Sequence, residues 1–259
     1  MDSVTSSDGT TIAFDRLGEG PPVILVCGGS TDRMVNAPLA ALLARRFTVL
    51  NYDRRGRGDS GDTPPYAVER EVEDLDAAIR AAGGSACVWG SSSGAALALV
   101  AAASGLAMSR LAMWEPPYRL QDGGPRPPAD TAKVFADLVS QGRRGDAVEF
   151  FMAKVVRLPA EFVAQARNAP FWKAQEALAH TLAYDATIMG DYEVPAERVT
   201  AVTTPTLVLT GGASPPWMHE TARTIVGLLP DGRHRVLEGQ EHNVAPEAIA
   251  PALEEFFAG

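Results

Sequence analysis

Ala86-Cys87-Val88-Trp89-Gly90-Ser91-Ser92-Ser93-Gly94-Ala95-Ala96-Leu97 reads as an apolar strand that turns sharply into an apolar helix. An apolar run without alternation belongs to a strand covered on both faces. Glycines two before and two after Ser92 remove Cβ atoms where strand and helix approach most closely. The middle residue of such a turn is held in strained backbone, and its side chain stands above the sheet edge. Ser92 is therefore the candidate nucleophile. Ser91 and Ser93 lack the flanking glycine spacing.

The same rhythm extends outward. Apolar runs at 23–27, 47–52, 86–89 and 110–114 alternate with helical patterns over 38–46, 68–82 and 93–104. Such alternation predicts right-handed crossovers and a mostly parallel, doubly wound α/β sheet. Ahead of it, 3–7 and 10–16 flank an Asp8-Gly9 turn and read as a leading hairpin. After Trp114 the rhythm breaks. Residues 118–128 are dense in Pro and Gly, a linker signature, and only helical patterns follow, over 134–141, 146–156, 159–168 and 171–182. Strand signals resume at 205–210 and 233–237, and a helix over 246–257 ends the chain. The expected layout is an α/β core over 1–118 and 196–259, split by an all-helical insertion over 119–195.

Composition narrows the function classes. The 259 residues are 46% hydrophobic and 21% charged, with a formal net charge of −9. A surface this acidic repels phosphate backbones, which speaks against nucleic acid and anionic membrane surfaces as partners. The apolar run at 95–103 is far short of the ~20 residues a membrane span needs. The polar start, Met1-Asp2-Ser3-Val4, lacks the basic and apolar regions of an export signal. Cys27 and Cys87 sit in apolar runs and read as buried thiols of a reducing, cytoplasmic compartment.

A serine hydroxyl needs a base. His180 and His219 fall in helical stretches and His234 inside a strand. His242 falls in Glu238-Gly239-Gln240-Glu241-His242-Asn243, a loop between the last strand and the last helix. In an open parallel sheet that loop lies at the ligand-binding edge, so His242 is the candidate base.

With these residues in place, the chain resembles the α/β-hydrolase superfamily over essentially its whole length. Val26-Cys27-Gly28-Gly29-Ser30 stands where the family has its H-G-x oxyanion loop, with Cys27 replacing the usual His. Asp53-Arg54-Arg55-Gly56-Arg57-Gly58-Asp59-Ser60 is similar to the family's D-x-R-G-x-G-x-S segment, which reads as structural. The resemblance implies an α/β-hydrolase fold with an inserted helical cap, and oxyanion donors at the backbone N–H groups of Gly29 and Ser93. It also implies a triad acid. The family's commonest position, after the 205–210 strand, holds Ser214 in Gly211-Gly212-Ala213-Ser214. The superfamily's other position, after the preceding strand, holds Glu115. Trp89-Gly90-Ser91-Ser92-Ser93-Gly94-Ala95 and a Glu closely followed by Pro are similar to zearalenone-type lactonases, which take their acid from that place. Asp185 and Asp191 are the reserve candidates.

The resulting expectation is a serine hydrolase cleaving a small, apolar carboxylic ester or lactone through an acyl-enzyme. Ser92, His242 and Glu115 form its triad, and Trp172 and Phe151 of the cap line its pocket. No metal or organic cofactor is implied. C–C bond hydrolysis, perhydrolysis and thioester cleavage or cyclisation would use the same triad. A hydrolase-derived ligand-binding protein is the alternative from another class.

Overall fold

In the computed structural model, which describes residues 1–120 and 126–259, alternate residues of each central strand enter two different cores. Val23 and Leu25 face one side while Ile24 and Val26 face the other, all of them fully buried. That double burial is the physical reason for the unbroken apolar runs.

The strands are β1 (Asp2–Thr5), β2 (Thr11–Leu17), β3 (Pro22–Val26), β4 (Thr48–Tyr52), β5 (Ala86–Ser91), β6 (Met108–Trp114), β7 (Thr206–Gly211) and β8 (Gly232–Leu237). They form one sheet in the order β1-β2-β4-β3-β5-β6-β7-β8. β1 and β2 run antiparallel as the leading hairpin, and the pairs from β4 through β8 are parallel. The helices in chain order are α1 (Ala37–Leu43), α2 (Val68–Ala81), α3 (Ser93–Ala103), α4 (Thr131–Ser140), α5 (Arg144–Phe150), α6 (Ala160–Ala166), α7 (Trp172–Leu178), α8 (Thr181–Met189), α9 (Ala196–Thr200), α10 (Pro216–Leu228) and α11 (Pro246–Ala258). α1 and α11 cover one face of the sheet, with Leu39, Leu43 and Leu253 packed on it. α2, α3 and α10 cover the other. No helix among the described residues is long and apolar enough to cross a membrane.

Between β6 and β7 stand α4 to α9, with α5 running on into a π turn over Phe151–Val156. Residues 121–125 of the expected linker lie outside the described residues. The insertion has its own apolar cluster, built from Phe135, Val148, Met152, Val163, Trp172 and Leu182. Trp172 is buried there, and its indole N–H donates to Glu176 Oε1 at 2.9 Å. Trp172→Ala is therefore expected to cost about 3–5 kcal/mol, read as a lowered urea midpoint.

One element differs from the sequence reading. The helix expected over 171–182 is two helices, α7 and α8, with a break at Ala179 and His180. Arg144 supplies the reason. Its guanidinium donates to the carbonyls of Glu176 and Ala177, both at 2.6 Å, and contacts His180 Nδ1 at 3.0 Å. Those carbonyls would otherwise serve the next helical turn.

Candidate active site

Ser92 closes β5 and caps α3 with φ 54° and ψ −124°, a conformation that L side chains rarely adopt. The glycines around it are there for space. A Cβ on Gly90 would lie 2.5 Å from the Gly94 carbonyl oxygen, and one on Gly94 would lie 2.4 Å from that of Cys27. The turn is thus pressed between its own helix and the end of β3. Ser92 N–H donates to the Trp114 carbonyl at 2.9 Å, which fixes the turn to the end of β6.

The next residue along β6 is Glu115, also at positive φ (43°), its N–H donating to Leu209 O of β7 at 3.1 Å. That kink swings its carboxylate across the sheet edge, where the side chain is fully buried. Oε1 accepts the Gly211 N–H at 2.8 Å, and Oε2 lies 2.7 Å from His242 Nδ1. The Trp114 indole N–H donates to the His242 carbonyl at 2.8 Å, so the same strand end holds both the backbone and the ring of His242. Burial pushes the Glu115 carboxyl up. Hydrogen bonds from His242 and the Gly211 N–H, with the Ser214 hydroxyl close by, outweigh it and hold the group below the usual range. An ionised carboxylate can only accept, so Nδ1 carries a proton, and in the neutral ring the lone pair is on Nε2. Ser214 lies buried beside this carboxylate, and a Cβ on Gly211 would come 2.9 Å from its hydroxyl.

The loop after β3 completes the constellation. A Cβ on Gly28 would lie 3.2 Å from Ser92 Cβ, which places this loop directly against the turn. Ser93 follows Ser92 as the first residue of α3, so its N–H has no intrahelical partner. Cys27 is wholly buried, and burial raises its thiol pKa. It stays protonated, a poor nucleophile. Among the described residues, no three His, Cys, Asp or Glu side chains gather as a metal ion would require.

The Asp53–Ser60 stretch supplies paired cations. Arg54 forks onto Glu71 with two bonds of 2.7 Å, and Arg55 forks onto Asp74 with two more. Arg57 Nη2 donates to both oxygens of Asp185 of α8 at 2.9 Å, and Arg54 joins it at 2.8 Å. Asp185 is thus drawn into the arginines and away from His242. Burial pushes its carboxyl up, but Arg57, Arg54 and the Ser93 hydroxyl hold it below its ordinary value. Asp185→Asn is expected to cost about 3 kcal/mol at pH 7, because two buried guanidiniums lose a counter-charge. A carboxyl depressed in the folded state contributes stability above its unfolded pKa of about 3.9, and loses it as pH falls further. The gap between wild type and variant should therefore close in acid, as urea titrations at pH 7 and below pH 4 would show.

The structure thus brings together Ser92, Ser93, Gly29, Glu115 and His242 at one sheet edge. It does not bring Trp172 or Phe151 there. Both pack with Phe135 in the insertion's own cluster. His219 and His234 share the Thr210 hydroxyl, at 3.1 and 2.9 Å, instead of joining the group. The feature that sequence reading missed is the place of Asp185. Its only local signal is a single carboxylate on the buried side of an otherwise apolar helix.

The profile described as "Alpha/beta hydrolase family" matches residues 23–252. An alpha/beta hydrolase from Sphaerobacter thermophilus is 56% identical, superposes with a TM-score of 0.93, and is matched over 99% of this chain and all of its own. A thermophilic esterase from Thermogutta terrifontis is 22% identical at a TM-score of 0.76, over 99% of this chain and 97% of its own. Curated relatives match over shorter stretches. "Probable oxidoreductase EphD" of Mycobacterium tuberculosis is 37% identical over 81 residues, which span 29% of this chain but 14% of that protein.

Proposed function

We propose that this chain, which belongs to the alpha/beta hydrolase family, is a serine hydrolase that cleaves a carboxylic ester or lactone through an acyl-enzyme. The observation that carries the reading is the 2.7 Å contact between His242 Nδ1 and a buried, ionised Glu115, beside a serine held at positive φ.

In this reading His242 Nε2 takes the Ser92 proton as Oγ attacks the carbonyl carbon. Glu115 orients the ring and offsets the charge of the imidazolium. The N–H groups of Gly29 and Ser93 receive the oxyanion. Each such donor is worth on the order of 10²–10³ in rate, because it is aimed before charge develops. His242 then gives its proton to the leaving alkoxide. Water, deprotonated by the same ring, releases the acid and restores Ser92. The Ser92 proton leaves with the alcohol and one from water replaces it, so the enzyme ends as it began.

The insertion serves as the cap, since α8 reaches the loop beside the serine. Substrate is a small apolar molecule, with neither nucleic acid nor membrane as partner, and the two buried free thiols suit a reducing cytoplasm. The choice of lactone within the class rests on Glu115 as the acid. A fluorophosphonate tests the class directly: one equivalent should attach at Ser92 and abolish turnover of a panel of short-chain to long-chain esters and lactones. Labelling elsewhere, or turnover that survives complete labelling, would overturn it.

A further inference from the structure

We infer that the insertion is part of the oxyanion machinery: Asp185 and Gln175 are positioning residues that aim the Gly29 and Ser93 N–H groups. This rests on the nucleophile and donors proposed above.

The Gly28 carbonyl and the Gly29 N–H belong to one planar trans peptide, so they point in opposite directions. Whatever fixes the carbonyl aims the N–H. Arg57 fixes it, because its Nη1 donates to Gly28 O and also to Thr31 O at 3.1 Å. Nη2 of the same guanidinium donates to both Asp185 oxygens, each at 2.9 Å. Asp185 Oδ1 also accepts the Ser93 hydroxyl at 2.8 Å, and Oδ2 lies 3.1 Å from where a Cβ on Gly29 would stand. One carboxylate of α8 therefore bonds Ser93, fills the space a side chain on Gly29 would take, and orients the arginine that sets the first donor. Gly28 O also accepts the Thr31 hydroxyl at 3.0 Å, so without Asp185 one of its two restraints, the arginine, loses its anchor.

A second tie comes from α7. Ser30 is held at φ 56°, a conformation that persists only when its surroundings impose it. Gln175 imposes it from both ends of one amide. Its Oε1 accepts the Ser30 hydroxyl, and its Nε2 donates to Ser30 O at 3.2 Å. The donor loop is held by α7 on one side and α8 on the other.

Charge alone makes the opposite forecast. Asp185 is an anion beside a developing oxyanion, so removing its charge should speed the reaction. Positioning says the reaction slows. The experiment measures kcat and KM on p-nitrophenyl acetate for Asp185→Asn, Gln175→Ala and Gln175→Glu. Each is normalised to sites labelled to completion by a fluorophosphonate. An oxoester is then compared with its thionoester, whose sulfur accepts the two N–H bonds poorly. Expected for Asp185→Asn is a ~10²-fold lower kcat per labelled site with KM within about twofold, and a collapse of oxo-over-thiono preference. Gln175→Ala, which removes no buried charge, should show the same pattern at about tenfold, and Gln175→Glu, which keeps only the acceptor half of the amide, should be no better. Unchanged kcat per labelled site, with only the labelled fraction or unfolding temperature lowered, would overturn the inference and leave the triad reading intact. A wild type that turns over ester yet takes no label at Ser92 would instead overturn the underlying reading.

Discussion

Ser92→Ala is expected to lower kcat on carboxylic esters by roughly 10⁶-fold, with stability changed by no more than about 0.5 kcal/mol. The large effect follows from what remains. With no hydroxyl for His242 Nε2 to deprotonate, neither attack nor acyl transfer has a path, and only binding and oxyanion donors are left. The small effect on stability follows because the side chain is part-exposed and makes no hydrogen bond that holds the fold. A second variant separates function from strain. Ser92→Gly should be as inactive as Ser92→Ala yet more stable than it by about 1 kcal/mol, since glycine accepts φ 54° without a Cβ penalty. Single-turnover assays with thermal unfolding check both. Alanine activity above a few per cent of wild type would move the nucleophile to another serine.

That this residue could be picked out beforehand has a local cause. Gly90 and Gly94 each meet backbone atoms nearer than any Cβ tolerates, and such collisions leave a spacing in the chain that needs no knowledge of distant residues. The apolar strands were legible for a similar reason, since burial on both sheet faces writes itself into consecutive positions. Glu115 was legible partly by exclusion, through Ser214 standing where an acid is commoner. What stayed hidden depends on long-range partners. Arg144 breaks the 171–182 helix from 32 residues away, with no trace in that segment's periodicity. The partners of Asp185, Arg57 and Ser93, lie 128 and 92 residues distant. Trp172 was a natural choice for a pocket wall, being large and apolar in a cap. Its nearest apolar partners lie within the insertion itself, and a pattern of hydrophobicity does not say which cavity a side chain fills.

Glu115→Gln should lower kcat by on the order of 10²–10⁴-fold, while Ser214→Ala should lower it by less than about threefold. The shape is nearly unchanged, so the loss must come from hydrogen-bond polarity. In the native site both carboxylate oxygens accept, one from Gly211 N–H and one from His242 Nδ1. Glutamine offers one acceptor and one NH₂ donor. If its oxygen serves the buried Gly211 N–H, its NH₂ faces His242 and forces the lone pair onto Nδ1. The proton then sits on Nε2, where a base is needed, and the ring cannot take the Ser92 proton. If the amide turns over, the NH₂ meets the Gly211 N–H, and a buried donor goes unpaired at a cost of about 1–3 kcal/mol. Either way the imidazolium also loses the charge that offsets it during the transition state. Ser214 has no such role, because its hydroxyl stays neutral and makes no hydrogen bond to His242. Steady-state kcat on p-nitrophenyl acetate, together with the ring-proton NMR resonance of His242, separates the outcomes. The first orientation loses the Nδ1–H signal expected of wild type, and the second keeps it at a cost in stability. A Glu115→Gln enzyme within tenfold of wild type, with that resonance retained, would remove Glu115 from the triad.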